Sequence, residues 1–137
     1  MSTDPNAVSD ATTEAMWAAD AASRSLGIEL DEVAPGRARA RMRITDSMLN
    51  GHGICHGGLV FTLADTAFAF ACNSSGRATV AAACDIVFVA PARSGDELVA
   101  EATERVRFGR NGVFDVTVRC GDAVVAEFRG YGRESSR

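Results

Sequence analysis

Residues 50–73 hold the groups best suited to chemistry: Asn50, His52, His56, Gly57 and Gly58, then a lone carboxylate, Asp65. Around Asp65 the chain is apolar at almost every position from Leu59 to Ala71. A helix of that composition has no wet stripe and reads as buried on all sides. An unpaired carboxylate is costly in such a place, so Asp65 must be hydrogen-bonded, paired or reached by water. That makes it a candidate for acid–base or nucleophilic work. The helix is expected to begin near Gly57, where the first backbone N–H groups, those of Gly57 and Gly58, lack partners within the helix. Such donors form an oxyanion or carbonyl site. Gly57 and Asp65 are eight residues apart, which is ~12 Å along an α-helix. One chain's Asp65 therefore cannot serve a carbonyl held at its own Gly57. The spacing points to a composite site between two antiparallel copies of this helix.

The flanking sequence supplies the elements that position these groups. Residues 1–11 are small and polar and are expected to form a disordered tail, with residues 12–132 as a single domain. Thr12 or Thr13 is expected to cap a helix running to about Leu26, with Gly27 at its end. Residues 28–34 read as a strand, and Pro35-Gly36 as a type II turn. Arg37–Ile44 alternates strictly, with Ala38, Ala40, Met42 and Ile44 toward a core and four arginines outward. After the central helix, the apolar run Thr79–Ala90, closed by Pro91, is expected to be a central strand covered by that helix, with Asp85 turned outward or paired at an interface. Strands follow at 97–108, 113–120 and 123–131, separated by turn signals at Gly109–Gly112 and Gly121-Asp122. Phe114, Val116, Val118, Cys120, Val124, Ala126 and Phe128 are expected inward, and the tail from Gly132 to Arg137 frayed. The class is α+β. One helix is too small to cover both faces of such a sheet, so the sheet curls around it and leaves its other face or edges for a partner subunit.

Composition excludes several roles. The chain has 137 residues and a net charge of −4, which argues against nucleic acid or an anionic membrane as the main partner. No apolar run is long and uncharged enough to span a bilayer, and Met1–Asp10 lacks the pattern of a secretory signal. Cys55, Cys72, Cys84 and Cys120 are scattered without a C-x-x-C pair. Neither a zinc site nor a disulfide framework is expected, and reduced thiols fit a cytoplasmic protein.

The run Leu49-Asn50-Gly-His-Gly-Ile-Cys-His56-Gly57-Gly58, followed by Leu63-Ala64-Asp65-Thr66-Ala67-Phe68-Ala69, resembles the hotdog-fold acyl-CoA thioesterases. In particular it resembles the hydroxyphenylacetyl-CoA thioesterases of the phenylacetate branch. The likeness extends from about residue 16 to Gly130 and includes Ala71-Cys72-Asn73-Ser74 and Phe128-Arg129-Gly130. It implies a hotdog fold, with a long helix wrapped by five to six antiparallel strands. It also implies dimers paired edge to edge, commonly joined into homotetramers, with active sites built from both chains. The implied reaction is hydrolysis of a phenylacetyl- or hydroxyphenylacetyl-type CoA thioester in aromatic catabolism, with no metal or organic cofactor.

The resemblance also assigns roles. Gly57 N–H would stabilise the thioester oxygen, and the partner's Asp65 would act as general base on water or as nucleophile. Asn50 would hold the attacking water or the carbonyl. His56 would either orient the loop or contact the region of the thioester sulfur. Phe61 and Phe68, at i−4 and i+3 from Asp65, are positioned by helical spacing to meet the acyl group, although both rings also fit plain core packing, and Gly58 is a further substrate-binding candidate. Arg110 and Arg93 are candidates for the CoA phosphates; the Arg37–Arg43 strip is another, although its alternation fits a solvated strand face or a subunit contact better. Some relatives that act on aromatic thioesters carry a threonine one turn after the acid; here that position is Ala69. Cys55 beside His56 suggests a thiol nucleophile less well than Asp65 suggests an acid. A hotdog hydratase would carry an Asp-x-Asn-Pro-x-His loop, which Asp46 and Asn50 do not reproduce. A non-catalytic acyl-CoA-binding protein would be marked by loss of the acid or the glycine, and both are present.

Overall fold

The computed structural model describes residues 4–135. Helix α1 runs Pro5–Ala19, with the Asp4 side chain accepting from Asn6 N–H and proline in the first turn. Proline is preorganised for that position and needs no N–H there. The expected tail is thus corrected: residues 5–11 form the first turns of α1, and residues 1–3 lie outside the described part. The expected helix to Leu26 is also interrupted. Asp20 ends α1 and caps a second short helix, α2 (Ala21–Ser25), by accepting from Ser23 N–H at 3.0 Å.

Six strands follow: β1 (Glu29–Ala34), β2 (Arg37–Arg43), β3 (Thr79–Phe88), β4 (Glu97–Phe108), β5 (Asn111–Cys120) and β6 (Ala123–Glu134). The long helix α3 (Gly57–Asn73) falls between β2 and β3. The strands form one antiparallel sheet in the order β1-β2-β4-β5-β6-β3. Gly36 has φ +75°, as the turn after Pro35 requires. The last strand continues to Glu134, past the point where fraying was expected, and residues 136–137 lie outside the described part.

The inward set is largely as the alternation indicates, with Ala40, Phe114, Val116, Val118 and Ala126 fully enclosed. A register shift after Val118 moves Val125 inward and leaves Val124 half-buried. Helix α3 lies across β2, β4 and β5. Alanines on both surfaces, including Ala40, Ala64, Ala67 and Ala100, have no exposed area and let helix and sheet approach closely. Gly130 continues this fit, since a Cβ there would stand 2.6 Å from the Phe68 ring.

Two expectations are corrected. Strand β3 is an edge strand, paired with β6 alone, and the meander is β4-β5-β6. Its apolar side chains are open: Val80 is 61%, Val87 63% and Phe88 54% exposed. Helix α3 is likewise not closed all round. Gly58 is exposed, and Phe61, Thr62, Asp65 and Ala69 are half-buried. Their spacing of three and four residues places them on one face.

Helix α3 and β3 run side by side in opposite directions. At one end the Asn73 amide accepts from Thr79 N–H (2.8 Å) and donates to Thr79 O (3.0 Å), as a paired strand would. At the other end Gly57 faces the Phe88 ring, which a Cβ would approach to 3.0 Å. The open stripe of α3 and the open edge of β3 are therefore neighbours.

Candidate active site

The loop before α3 is shaped by Asn50. Its Oδ1 accepts from His52 N–H (2.9 Å) and Ile54 N–H (3.3 Å), an Asx turn that fixes the chain while leaving Nδ2 without an acceptor among the described residues. Cys55 N–H donates to Ala92 O (2.7 Å) and His56 N–H to Met48 O (2.8 Å), which ties the loop to the Pro91 segment and to the core.

His56 caps α3. Its Nδ1 accepts from Gly58 N–H at 3.0 Å. An accepting Nδ1 carries a lone pair, so the imidazole hydrogen sits on Nε2. The cap gives His56 a part in shaping the loop, and it occupies the N–H of Gly58, which was expected to be free. Gly57 N–H is the donor left without an acceptor among the described residues. It opens, with Asn50, onto a cavity of about 430 Å³ whose walls include Val60, Phe88, Pro91 and Val125.

Asp65 does not reach that cavity in the same chain. It lies on the open stripe, two turns further along α3. Burial pushes its carboxyl above the usual carboxylate range, and the nearby Asp20 carboxylate adds to the shift. A base of raised proton affinity is suited to taking a proton from water near neutral pH.

The other expected residues are distributed as follows. Phe61 is half-buried on the Asp65 stripe and stacks edge-on with Phe128, centroids 5.3 Å apart. Phe68 is corrected to a core residue: it is 1% exposed and packed between Phe114 and Phe128. Arg110 sits on the β4–β5 turn and donates to Glu134 O at 3.0 Å, at the Thr79 end of β3. Phe88 marks the other end, about 30 Å away along a ten-residue strand. Arg110 therefore cannot serve its own chain's cavity. The Arg37–Arg43 strip is matched by acids, with Arg41 on Asp31 at 3.0 Å and Arg43 on Glu97 at 3.6 Å, so it is a paired strand face. Cys55 is buried and faces the His56 carbonyl at 3.6 Å, and burial pushes its thiol up. That makes it a poorer nucleophile than an ionised thiol.

Residues 88–92 escaped the sequence reading as a cavity wall. The one signal was Pro91, which ends the apolar run beside the loop. Asp20 carried no local signal at all.

This fold, with an oriented N–H at the start of a long helix and an acid two turns on, defines a hotdog-fold thioester hydrolase. The chain belongs to the thioesterase superfamily, which it matches over residues 52–127. It is 48% identical over 117 residues to the acyl-coenzyme A thioesterase PaaI of Escherichia coli, covering 85% of this chain and 84% of that one. The solved structure of the E. coli PaaI protein from the phenylacetic acid degradation operon superposes with a TM-score of 0.94 at 41% identity, covering 97% of each chain. A variant of the phenylacetic acid degradation protein PaaI from Thermus thermophilus gives 0.80 at 32%, covering 82% of this chain and 97% of that one. No helix of the described residues is long and apolar enough to cross a membrane.

Proposed function

We propose that the protein hydrolyses phenylacetyl- or hydroxyphenylacetyl-type CoA thioesters to the free acid and CoA, in phenylacetate and aromatic catabolism, at sites shared between two chains. One observation carries the shared site. The free N–H of Gly57 and the amide of Asn50 adjoin one cavity, while Asp65 lies on a separate open stripe, and both border the unpaired edge of β3.

Two copies paired antiparallel along β3 bring these halves together, and the register follows from the spacing. Matching Gly57 of one chain with Asp65 of the other puts the two-fold axis at the level of Phe61 in α3. That lies a quarter of the way from Gly57 to Asn73, beside Asp85 or Ile86 in β3. Opposed residues in an antiparallel pair share a face, so the axis passes through one residue. Asp85 on Asp85 would set like charges opposite each other; Ile86 on Ile86 does not. The Ile86 register carries Arg110, beside the Thr79 end, to the partner's Pro91–Arg93 segment. There its guanidinium would meet CoA phosphates at the cavity mouth.

In this arrangement the thioester oxygen accepts from Gly57 N–H, and Asn50 Nδ2 is free to donate to the same oxygen or to the attacking water. The partner's Asp65 approaches the carbonyl carbon as base or nucleophile, and Phe61 borders the acyl group. The His56 cap holds the loop so that the Gly57 donor needs no rearrangement as charge develops.

The test is release of free CoA thiol from a panel of arylacetyl-, benzoyl- and fatty acyl-CoAs, with wild type beside Asp65→Asn. Preferred turnover of hydroxyphenylacetyl- or phenylacetyl-CoA that is lost in Asp65→Asn is expected. Preference for long fatty acyl chains would overturn the substrate class, and survival of activity in Asp65→Asn the assigned acid. Tight binding without hydrolysis would make the protein a carrier or sensor of CoA esters.

A further inference from the structure

The corner between α1 and α2 has a polar interior. Ser23 is 3% and Thr66 6% exposed. Thr66 Oγ1 donates to Thr62 O at 2.8 Å, so in the 2.9 Å contact between the two hydroxyls Ser23 is the donor and Thr66 the acceptor. Ser23 N–H donates in turn to Asp20 Oδ1 at 3.0 Å. A line of hydrogen bonds thus joins the Asp20 carboxylate, through Ser23, to the turn of α3 that carries Asp65. Thr66 follows Asp65 directly and points about 100° away, so the corner grips α3 on the flank beside the open stripe.

Capping alone accounts for an oxygen at position 20 but not for a charge, because asparagine or serine caps a helix as well as aspartate. The charge has a different reach. Asp65 feels Asp20 from this corner, and the other titratable neighbours are Cys72 of its own helix and Cys84 of β3, both thiols that burial holds neutral. A cation, Arg107 of β4, bears on Cys72 and is itself held by Glu104 at 2.7 Å.

We propose that Asp20 and Ser23 are positioning residues for Asp65: Ser23 fixes, through Thr66, the turn that carries the acid, and Asp20 sets the charge of its surroundings. The proposal rests on the reading of Asp65 as the acting carboxylate. It makes the N-terminal helices a working part of the site as well as packing for α3.

The test is the pH dependence of kcat/KM for wild type, Asp20→Asn, Ser23→Ala, Ser23→Thr and Asp65→Asn on the best thioester of the panel, with thermal melts alongside. Asp20→Asn keeps the cap and the shape and removes only the charge. Its acid limb is expected at lower pH than in wild type, with the melting temperature unchanged, because loss of a like charge eases ionisation of Asp65. Ser23→Ala is expected to lower kcat several-fold with KM little changed, and Ser23→Thr, which keeps the hydroxyl, to recover it. An acid limb that stays in place in Asp20→Asn, in an enzyme that Asp65→Asn inactivates, overturns the role of Asp20. Equal kcat in Ser23→Ala and wild type overturns that of Ser23. Full activity in Asp65→Asn is a separate failure, of the acid itself, and takes the proposal with it.

Discussion

Gly57 is the first helical residue of α3, and this allows its donor to be removed without breaking the helix. Proline is tolerated at that position and lacks the N–H, and the preceding His56, at φ −58° and ψ 130°, already has the extended backbone that proline demands. Alanine adds the same Cβ against Phe88 but keeps the donor. Gly57→Pro is therefore expected to lower kcat roughly 10²–10³-fold relative to Gly57→Ala, the scale of one oxyanion donor. Equal rates in the two variants would remove Gly57 N–H from the mechanism. Asp65 makes a prediction about stability. Its carboxyl is harder to ionise in the folded chain than in the unfolded one, so stability falls as pH rises from the unfolded carboxylate range through the folded pKa, then levels off. Asp65→Asn is expected to melt above wild type at neutral pH. The advantage should vanish below about pH 3.9, where the carboxyl is protonated in both states. A gain that persists in acid would mean that the carboxylate costs nothing to bury.

At the scale of elements, the close fit of α3 on the sheet depends on positions that have no side chain to spare. A methyl group at Gly130 would collide with Phe68, which is itself held by Phe114 and Phe128. Gly130→Ala is expected to cost about 1–3 kcal/mol, the range of overpacked cores, as a lower urea midpoint with unchanged m-value. An unchanged midpoint would show that Phe68 has room to move. This scale also shows what the sequence discloses. The limits of α3, the alternation of β2 and β5, and the turns at Gly36, Gly109 and Gly121 are local matters of periodicity and φ, and were legible. The start of α1 was missed: Asp4-Pro5 is a helix-start signal, but the polar composition around it reads as a tail. The edge position of β3 was not legible, because β3 finds β6 across two intervening strands, a pairing that no local pattern records. At the site, Gly57 and Asp65 became candidates by residue type and spacing, and Asn50 by the family resemblance. The His56 cap could not be read, since an imidazole lone pair does there what a serine or aspartate oxygen usually does. The Asp20–Ser23–Thr66 line joins residues more than forty positions apart.

The whole molecule is where the shared site can be tested directly. If each site is shared between two chains, as proposed, a variant carrying Gly57→Pro and one carrying Asp65→Asn each lack half of every site in their own dimers. In a mixed dimer one site carries both lesions and the other carries neither. Random re-pairing of equal amounts after gentle unfolding should therefore restore about a quarter of wild-type activity from two inactive proteins. No recovery, with mixed dimers shown to form, would place the complete site within one chain.

The open edge of β3 has a second consequence, for the chain on its own. From Thr79 to Ala90 the only charge is Asp85, on a strand whose free backbone groups would accept any extended segment. A single charge inside such a run acts as a gatekeeper against stacking of identical strands. Newly made subunits, and subunits at low occupancy of the dimer, would depend on it to stay out of aggregates. Asp85→Val is expected to raise turbidity during refolding from urea, and Asp85→Lys to leave it at the wild-type level. Equal turbidity in the two would mean that pairing is too fast for the bare edge to matter.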